Sequence, residues 1–283
     1  MTPSVAAARA TGLKQREDAL LTRLRSWPSL LVAYSGGVDS AYLAWAATRA
    51  LGPSVLCVTA DSPSYPQRHR TMAREIARDF GLRHEVIHTR ELDNPDYRAN
   101  PANRCYFCKH ELYTSLASIA RARGFAAIAD GSNADDRGDY RPGRQAAREF
   151  GVVSPLDEAA LSKDDIRALS REAGLPTWAE PASACLSSRI PYFSEVTDAK
   201  LRAIEQAEDA IRSLGFRVLR VRHHGEVARI ELGRDELPRA CEPGVAEAID
   251  RAMRALGFKD VTIDPKGYRL GSLNEGLVLR PVN

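Results

Sequence analysis

The segment Leu30-Leu31-Val32-Ala33-Tyr34-Ser35-Gly36-Gly37-Val38-Asp39-Ser40, followed by the alanine-rich run from Ala41 to Ala50, limits the fold more than any other stretch. Its apolar start reads as a short buried strand, and its end, with leucine, tryptophan and alanine, as a packed helix. Between them, Ser35-Gly36-Gly37 lets the backbone turn sharply and approach a ligand with no side chain in the way. A strand turning on glycines into a helix aims amide N–H groups and the positive end of the helix dipole at one point, with the Ser40 hydroxyl as a further donor. This predicts an anion site.

A Walker-type loop needs a longer Gly-to-Gly spacing and a Lys-Ser or Lys-Thr pair, and neither is present. A plain Gly-Gly turn with Asp39 or Ser40 starting a helix is the simpler alternative. The six residues Ser35, Gly36, Gly37, Val38, Asp39 and Ser40 instead resemble the pyrophosphate loop, Ser-Gly-Gly-X-Asp-Ser, of the N-type ATP pyrophosphatases. That resemblance implies ATP bound by its β- and γ-phosphates while the α-phosphate is transferred as AMP to a carboxylate or carbonyl oxygen.

Downstream, Ser54 to Ala60, His84 to His88, Ala126 to Ala129 and Val152 to Leu156 read as further short strands, separated by amphipathic helices such as Pro66 to Phe80 and Lys109 to Arg123. This rhythm predicts an α/β fold, a parallel sheet with helices on both faces. Ligands bind such sheets at the carboxyl ends of the strands, so each following loop is a candidate. After the fourth strand, Asp130-Gly131-Ser132-Asn133-Ala134-Asp135-Asp136 offers small residues and carboxylates suited to a nucleotide and its Mg²⁺ ion, with Gly131 and Asp135 as the binding candidates. Arg137, Arg141 and Arg144 are candidate phosphate partners. Ser162-Lys163-Asp164-Asp165 resembles a capping box that opens another helix.

From about Thr197 the pattern changes. A long helix ends near Gly215, and Phe216 to Arg222 alternates apolar and basic residues, predicting a sheet with one solvated face. His223-His224-Gly225-Glu226 reads as a turn into a partner strand, Val227 to Leu232. We place a domain boundary at 194, with residues 1–194 as the nucleotide domain and 195–283 as a smaller α+β domain for substrate or oligomer contacts. A chain of 283 residues with 44% hydrophobic content suffices for two cores. The net charge of +3 is small against 40 basic and 37 acidic residues, so nucleic acid is not an expected partner. With no membrane-length apolar run and no secretory-type start, a cytoplasmic protein is expected.

Five cysteines, an odd number, point to thiol or metal chemistry before disulfides. Cys57 reads as a core residue and Cys241 as structural. Cys105 and Cys108 form a C-x-x-C pair that zinc, redox chemistry, an iron–sulfur cluster or no special role would explain. Zinc lacks a second ligand pair, and His110 would be an unusual partner. Cys185, in a loop rich in proline and small residues, supplies a third thiolate, enough for a 4Fe-4S cluster with one iron open.

Taken together, the phosphate loop, Asn103-Arg104-Cys105-Tyr106, Asp130 to Asp136, Asp139-Tyr140-Arg141-Pro142-Gly143, Ala184-Cys185-Leu186-Ser187-Ser188-Arg189-Ile190-Pro191-Tyr192 and Arg220-Val221-Arg222-His223-His224-Gly225-Glu226 resemble the LarE-type sulfur transferases over most of the chain. The resemblance implies adenylation, with ATP and Mg²⁺, of a carboxylate of pyridinium-3,5-biscarboxylic acid mononucleotide, and its conversion to a thiocarboxylate for the nickel-pincer cofactor of lactate racemase. In some members the cysteine matching Cys185 is the sacrificial sulfur donor. Others hold a 4Fe-4S cluster on three cysteines, and Cys105, Cys108 and Cys185 place this chain with the second group. The resemblance also implies Cys185, Arg189 and Asp39 as catalytic residues, a sulfide or other sulfur donor, contacts with other proteins of that pathway, and a homo-oligomer. Arg189 would neutralise substrate phosphate or carboxylate, or form a salt bridge, and in an oligomer Arg220, Arg222, His223, His224 and Glu231 could complete a substrate site or hold a metal, or else lie solvated. The rival readings are a tRNA thiolation enzyme, an ammonia-using ligase of the NAD or GMP synthetase type, and a non-catalytic nucleotide-binding module.

Overall fold

The computed structural model describes residues 5–138, 142–181 and 184–269. Asp139, Tyr140 and Arg141, named above, lie outside the described residues. By its internal contacts the chain forms two compact units, and each is described by itself.

The first unit is built on four parallel strands in the order β3-β2-β1-β4: β1 Leu30–Ala33, β2 Val55–Asp61, β3 His84–His88 and β4 Ala127–Ala129. Successive residues of a strand point to opposite faces, which explains why β1 and β4 are apolar throughout. Leu30, Val32, Val55 and Cys57 bury one face with Leu20, Leu24, Leu43, Ile76 and Leu169. Leu31, Leu56, Val58 and Ile128 bury the other with Tyr113, Leu116 and Ala146. The expected parallel sheet covered on both faces is therefore present. The fifth strand is reduced to a single bridge, Ala129 to Val153, because Pro155 opens a helical turn, Pro155–Glu158. The helix expected from Lys109 starts earlier, Arg104–Arg123, so Cys105 and Cys108 sit in its opening turns.

The second unit contains Pro95–Ala102 and the described residues from Ala184 onward, so the contacts divide the chain ahead of the compositional boundary at 194. The cause is local: Val196 N–H donates to the Arg98 carbonyl (2.8 Å) and Phe193 N–H to that of Asn100 (2.9 Å). Its sheet runs β5-β6-β7, with β5 Leu219–His224 antiparallel to β6 Val227–Leu232, and β6 parallel to β7 Asp260–Ile263. Val221, Ile230 and Leu232 pack with Ala207 and Ile211 of the helix Asp198–Ser213 and with Ile249 and Met253 of the helix Pro243–Ala255. The face predicted to be solvated is not. Arg220, Arg222 and Glu231 are buried, and Arg222 pairs with Glu231 at 2.8 Å. Paired charges tolerate burial where single ones do not.

Candidate functional site

The phosphate loop leaves β1 and enters the helix Val38–Leu51 through Gly37, whose extended backbone opens the helix. Gly36 is required twice over. It holds φ +65°, and a Cβ there would lie 2.7 Å from Ala73 Cβ and 2.9 Å from Ala73 Cα on the helix Gln67–Asp79. The loop carbonyls are tied down: Thr59 Oγ1 donates to Tyr34 O (2.7 Å) and Tyr65 OH to Ser35 O (2.7 Å). Ser40 Oγ accepts the Ser35 N–H (3.1 Å) and donates to Gly37 O (3.1 Å). Ser40 thus braces the loop, and its single O–H, expected to serve a bound anion, is spent on Gly37 O. Val38 is buried and anchors the helix start in the core. The first-turn N–H groups of a helix have no partners in its own ladder, which leaves the anion site its donors.

The expected acidic loop does reach this turn. A Cβ on Gly131 would stand 3.0 Å from Ser40 N, so the loop after β4 lies directly against Asp39 and Ser40. Asp130, which opens this loop, is spent on scaffolding: its carboxylate accepts from Tyr113 OH (3.0 Å), Ser132 N (3.1 Å) and Ser154 Oγ (2.8 Å). Asp135 is exposed, and its carboxylate accepts the Lys163 N–H at 2.7 Å. Arg137 and Arg144, candidate phosphate partners, both pair with Asp157.

Sequence reasoning missed Lys163. The capping box is present, with the Asp165 N–H on Ser162 Oγ and the Ser162 N–H on the Asp165 carboxylate. It places Lys163 at the first position of the helix Lys163–Glu172, where the helix dipole disfavours a cation. That misplaced charge was the available signal. The ammonium pairs with Asp39 Oδ2. Burial pushes the Asp39 carboxyl up, and Lys163 works against that shift. The second carboxylate oxygen, Asp39 Oδ1, is buried with no hydrogen-bond partner among the described residues. An unpaired hard oxygen beside a phosphate loop fits a Mg²⁺ ion, which prefers such donors.

Cys105 is exposed and Cys108 half-buried, and their spacing sets them on one face of the helix Arg104–Arg123 near its positive end. The neighbouring Lys109 is held above its ordinary pKa, first by the Tyr113 phenol and against its own burial, with Asp130 and Cys108 adding to the rise. It is a lasting cation beside the pair, the setting in which thiolate chemistry occurs.

Cys185 belongs to the second unit and precedes the 3-10 turn Leu186–Arg189. Its carbonyl accepts from Ser188 N (3.0 Å), Ser188 Oγ (2.7 Å) and Arg189 Nη1 (2.9 Å). Arg189 is 1% exposed and its guanidinium meets Glu208 twice, at 2.8 and 3.1 Å. Burial pushes Glu208 up, but Arg189, Arg220 and Arg212 outweigh it and hold the carboxyl at about 2. Arg222 donates to Ser188 O at 2.8 Å. Arg220, lowered to about 10 by burial and by Arg189, stacks its guanidinium 5.1 Å from the Tyr268 ring. Arg189, Arg212, Arg220 and Arg222 thus gather around the buried carboxylates of Glu208 and Glu231. Burial lowers the pKa of His223 and of His224, and His223 packs its ring 5.3 Å from that of Phe258.

None of the five cysteines is in a disulfide. Among the described residues no three His, Cys, Asp or Glu side chains gather as a metal ion would require.

Comparison with known proteins bears on both units. The asparagine synthase family model matches residues 14–103. The chain is 44% identical to an uncharacterized protein of Synechocystis over 87% of its own length and 92% of the relative's. It is 34% identical to the pyridinium-3,5-bisthiocarboxylic acid mononucleotide synthase of Lactiplantibacillus plantarum, over 94% of this chain and 96% of that one. A tRNA(Ile)-lysidine synthase from Bradyrhizobium is 30% identical over 62% of this chain and 51% of its own.

Proposed function

Because this chain belongs to the LarE family of ATP-dependent sulfur transferases, we propose that it adenylates a carboxylate of pyridinium-3,5-biscarboxylic acid mononucleotide and replaces one of that group's oxygens with sulfur. The observation that carries the reading is the phosphate loop, with Asp39 and Ser40 packed against Gly131 and an unpaired Asp39 oxygen at its edge. A carboxylate resists nucleophiles because its oxygens leave badly. In the proposed first step a carboxylate oxygen attacks the α-phosphorus of ATP, the bond to the β-phosphate breaks, and pyrophosphate departs. In the second, a sulfur nucleophile attacks the acyl carbon and AMP leaves with that oxygen.

In this reading Ser35, Gly36, Gly37, Val38 and Ser40 hold the departing pyrophosphate, and Asp39, Gly131 and Asp135 border the nucleotide and its Mg²⁺. The guanidinium-rich surroundings of the Cys185 turn, Arg189, Arg220 and Arg222, suit a substrate that carries a phosphate and carboxylates. Cys105, Cys108 and Cys185 are thiols whose all-sulfur donor chemistry fits a 4Fe-4S cluster. Such a cluster, held by three thiolates, would offer one iron to an incoming sulfide. The second unit is assigned substrate and oligomer contacts, and the protein a homo-oligomeric state.

Anaerobic purification, with iron and sulfide analysis and a visible spectrum, tests the sulfur source. Iron, labile sulfide and repeated turnover with added sulfide are expected. A colourless, iron-free protein that turns over once and loses the elements of H₂S from Cys185 would overturn the cluster and keep the transfer.

A further inference from the structure

The eight residues Pro95–Ala102 leave the first unit to join the second, and Asn100 is a buried side chain among them that joins it directly. Asn100 is 0% exposed and holds φ +56°, a left-handed conformation that asparagine tolerates better than other side-chain-bearing residues. A fully buried amide must spend its N–H groups on partners. Those of Asn100 Nδ2 are shared among the carbonyls of Pro191 (2.7 Å), Ser194 (3.0 Å) and Ile190 (3.3 Å). Its own carbonyl accepts the Phe193 N–H at 2.9 Å, and Phe193 itself stands at φ +65°. One helical turn earlier, the buried Tyr97 hydroxyl meets Ser187 Oγ at 2.5 Å.

The segment carrying Cys185 is thereby pinned from two sides. Its front half, residues 184–189, is tied to the helix Asp198–Ser213 through Arg189 and Glu208. Its rear half, residues 190–196, is tied to Asn100 and Arg98. The front half is itself a single tight turn, closed by Ser188 N–H on Cys185 O and Ile190 N–H on Ser187 O, and it ends where the Asn100 ties begin, at Ile190. Backbone fixed in this way, including two residues in a costly conformation, is the mark of a segment whose geometry is over-determined by its surroundings.

We propose that Asn100 is a positioning residue for sulfur transfer: its buried amide holds the turn that presents the Cys185 thiol, while taking no part in adenylation. The inference rests on the sulfur-transfer reading of Cys185. A displacement of about 1 Å at a reacting group lowers rates by about a hundredfold, so loss of the amide should be felt at the sulfur step.

The test uses full-length Asn100→Gly, which keeps the left-handed backbone and removes the amide, and Asn100→Asp, which keeps the shape and turns the donor into an acceptor. With ATP, Mg²⁺ and saturating pyridinium biscarboxylate mononucleotide, pyrophosphate release should stay within about threefold of wild type. Thiocarboxylate formed per adenylate should fall by about tenfold or more, further in Asn100→Asp than in Asn100→Gly. Hydrogen exchange should rise in peptides spanning 184–196 and stay unchanged in the β5-β6 hairpin. Adenylation and sulfur transfer falling together, a general rise in exchange, or no change in either step would each overturn the inference. A wild-type protein that releases pyrophosphate without making thio product would overturn the underlying reading instead.

Discussion

The phosphate loop and the Cys185 turn are both tight backbone turns beside a helix, yet they are held by opposite means. The loop is held mainly by backbone and small side chains: Gly36 against Ala73, Gly131 against Ser40, hydroxyls on carbonyls. The Cys185 turn is held by buried charge and a buried amide: Arg189 on Glu208, Arg222 on Ser188 O, Asn100 on three carbonyls. A site for a phosphate chain needs N–H groups at fixed spacing, which glycine and a helix start supply locally. A site for a thiol that meets an anionic substrate needs fixed positive charge near it, and buried charge needs partners brought from elsewhere in the chain.

Breaking the charge-built turn should have the largest effect. Glu208→Gln leaves Arg189 and Arg212 without a buried counter-charge and should cost about 3–5 kcal/mol in chemical denaturation. The same variant sharpens the comparison through pH. Because Arg189 and its neighbours hold the Glu208 carboxyl at about 2 against an ordinary 4.5, the stabilisation is complete above pH 4.5 and disappears as pH falls toward 2. The stability gap between wild type and Glu208→Gln should close across that window, and a gap independent of pH would contradict the assignment.

Gly36→Ala strikes the backbone-built loop. A methyl group forced to 2.7 Å from Ala73 at positive φ should cost about 1–3 kcal/mol and remove ATP binding in calorimetry. The smallest effect is expected at Lys163→Met. This variant removes the cation from Asp39 and should weaken ATP binding about tenfold, roughly 1.4 kcal/mol, with the fold intact. Unchanged affinity would make Lys163 a structural counter-ion only.

The contrast also explains what the sequence disclosed. The strands, the two faces of the first sheet and the glycine loop were legible because local period and turn chemistry specify them. The capping box at Ser162 was legible for the same reason, but its Lys163 was not read as a partner of Asp39, a pairing across 124 positions. In the second unit the alternation of Arg220 and Arg222 with apolar residues gave the strand correctly and its environment wrongly. Nothing local to β5 announces that Glu231 and Ser188 O will meet Arg222. The transfer of 95–102 to the second unit was equally hidden, since it depends on where one asparagine amide finds its carbonyls.

In the proposed reaction, triphosphate cleavage at the Gly36 loop makes a carboxylate reactive toward sulfur. The most direct measurement labels the carboxylate oxygens of the pyridinium mononucleotide with heavy oxygen and follows them by mass spectrometry during turnover with ATP. The account predicts one labelled oxygen in AMP for each thiocarboxylate formed. Thiocarboxylate appearing with unlabelled AMP, or label recovered in pyrophosphate, would contradict it.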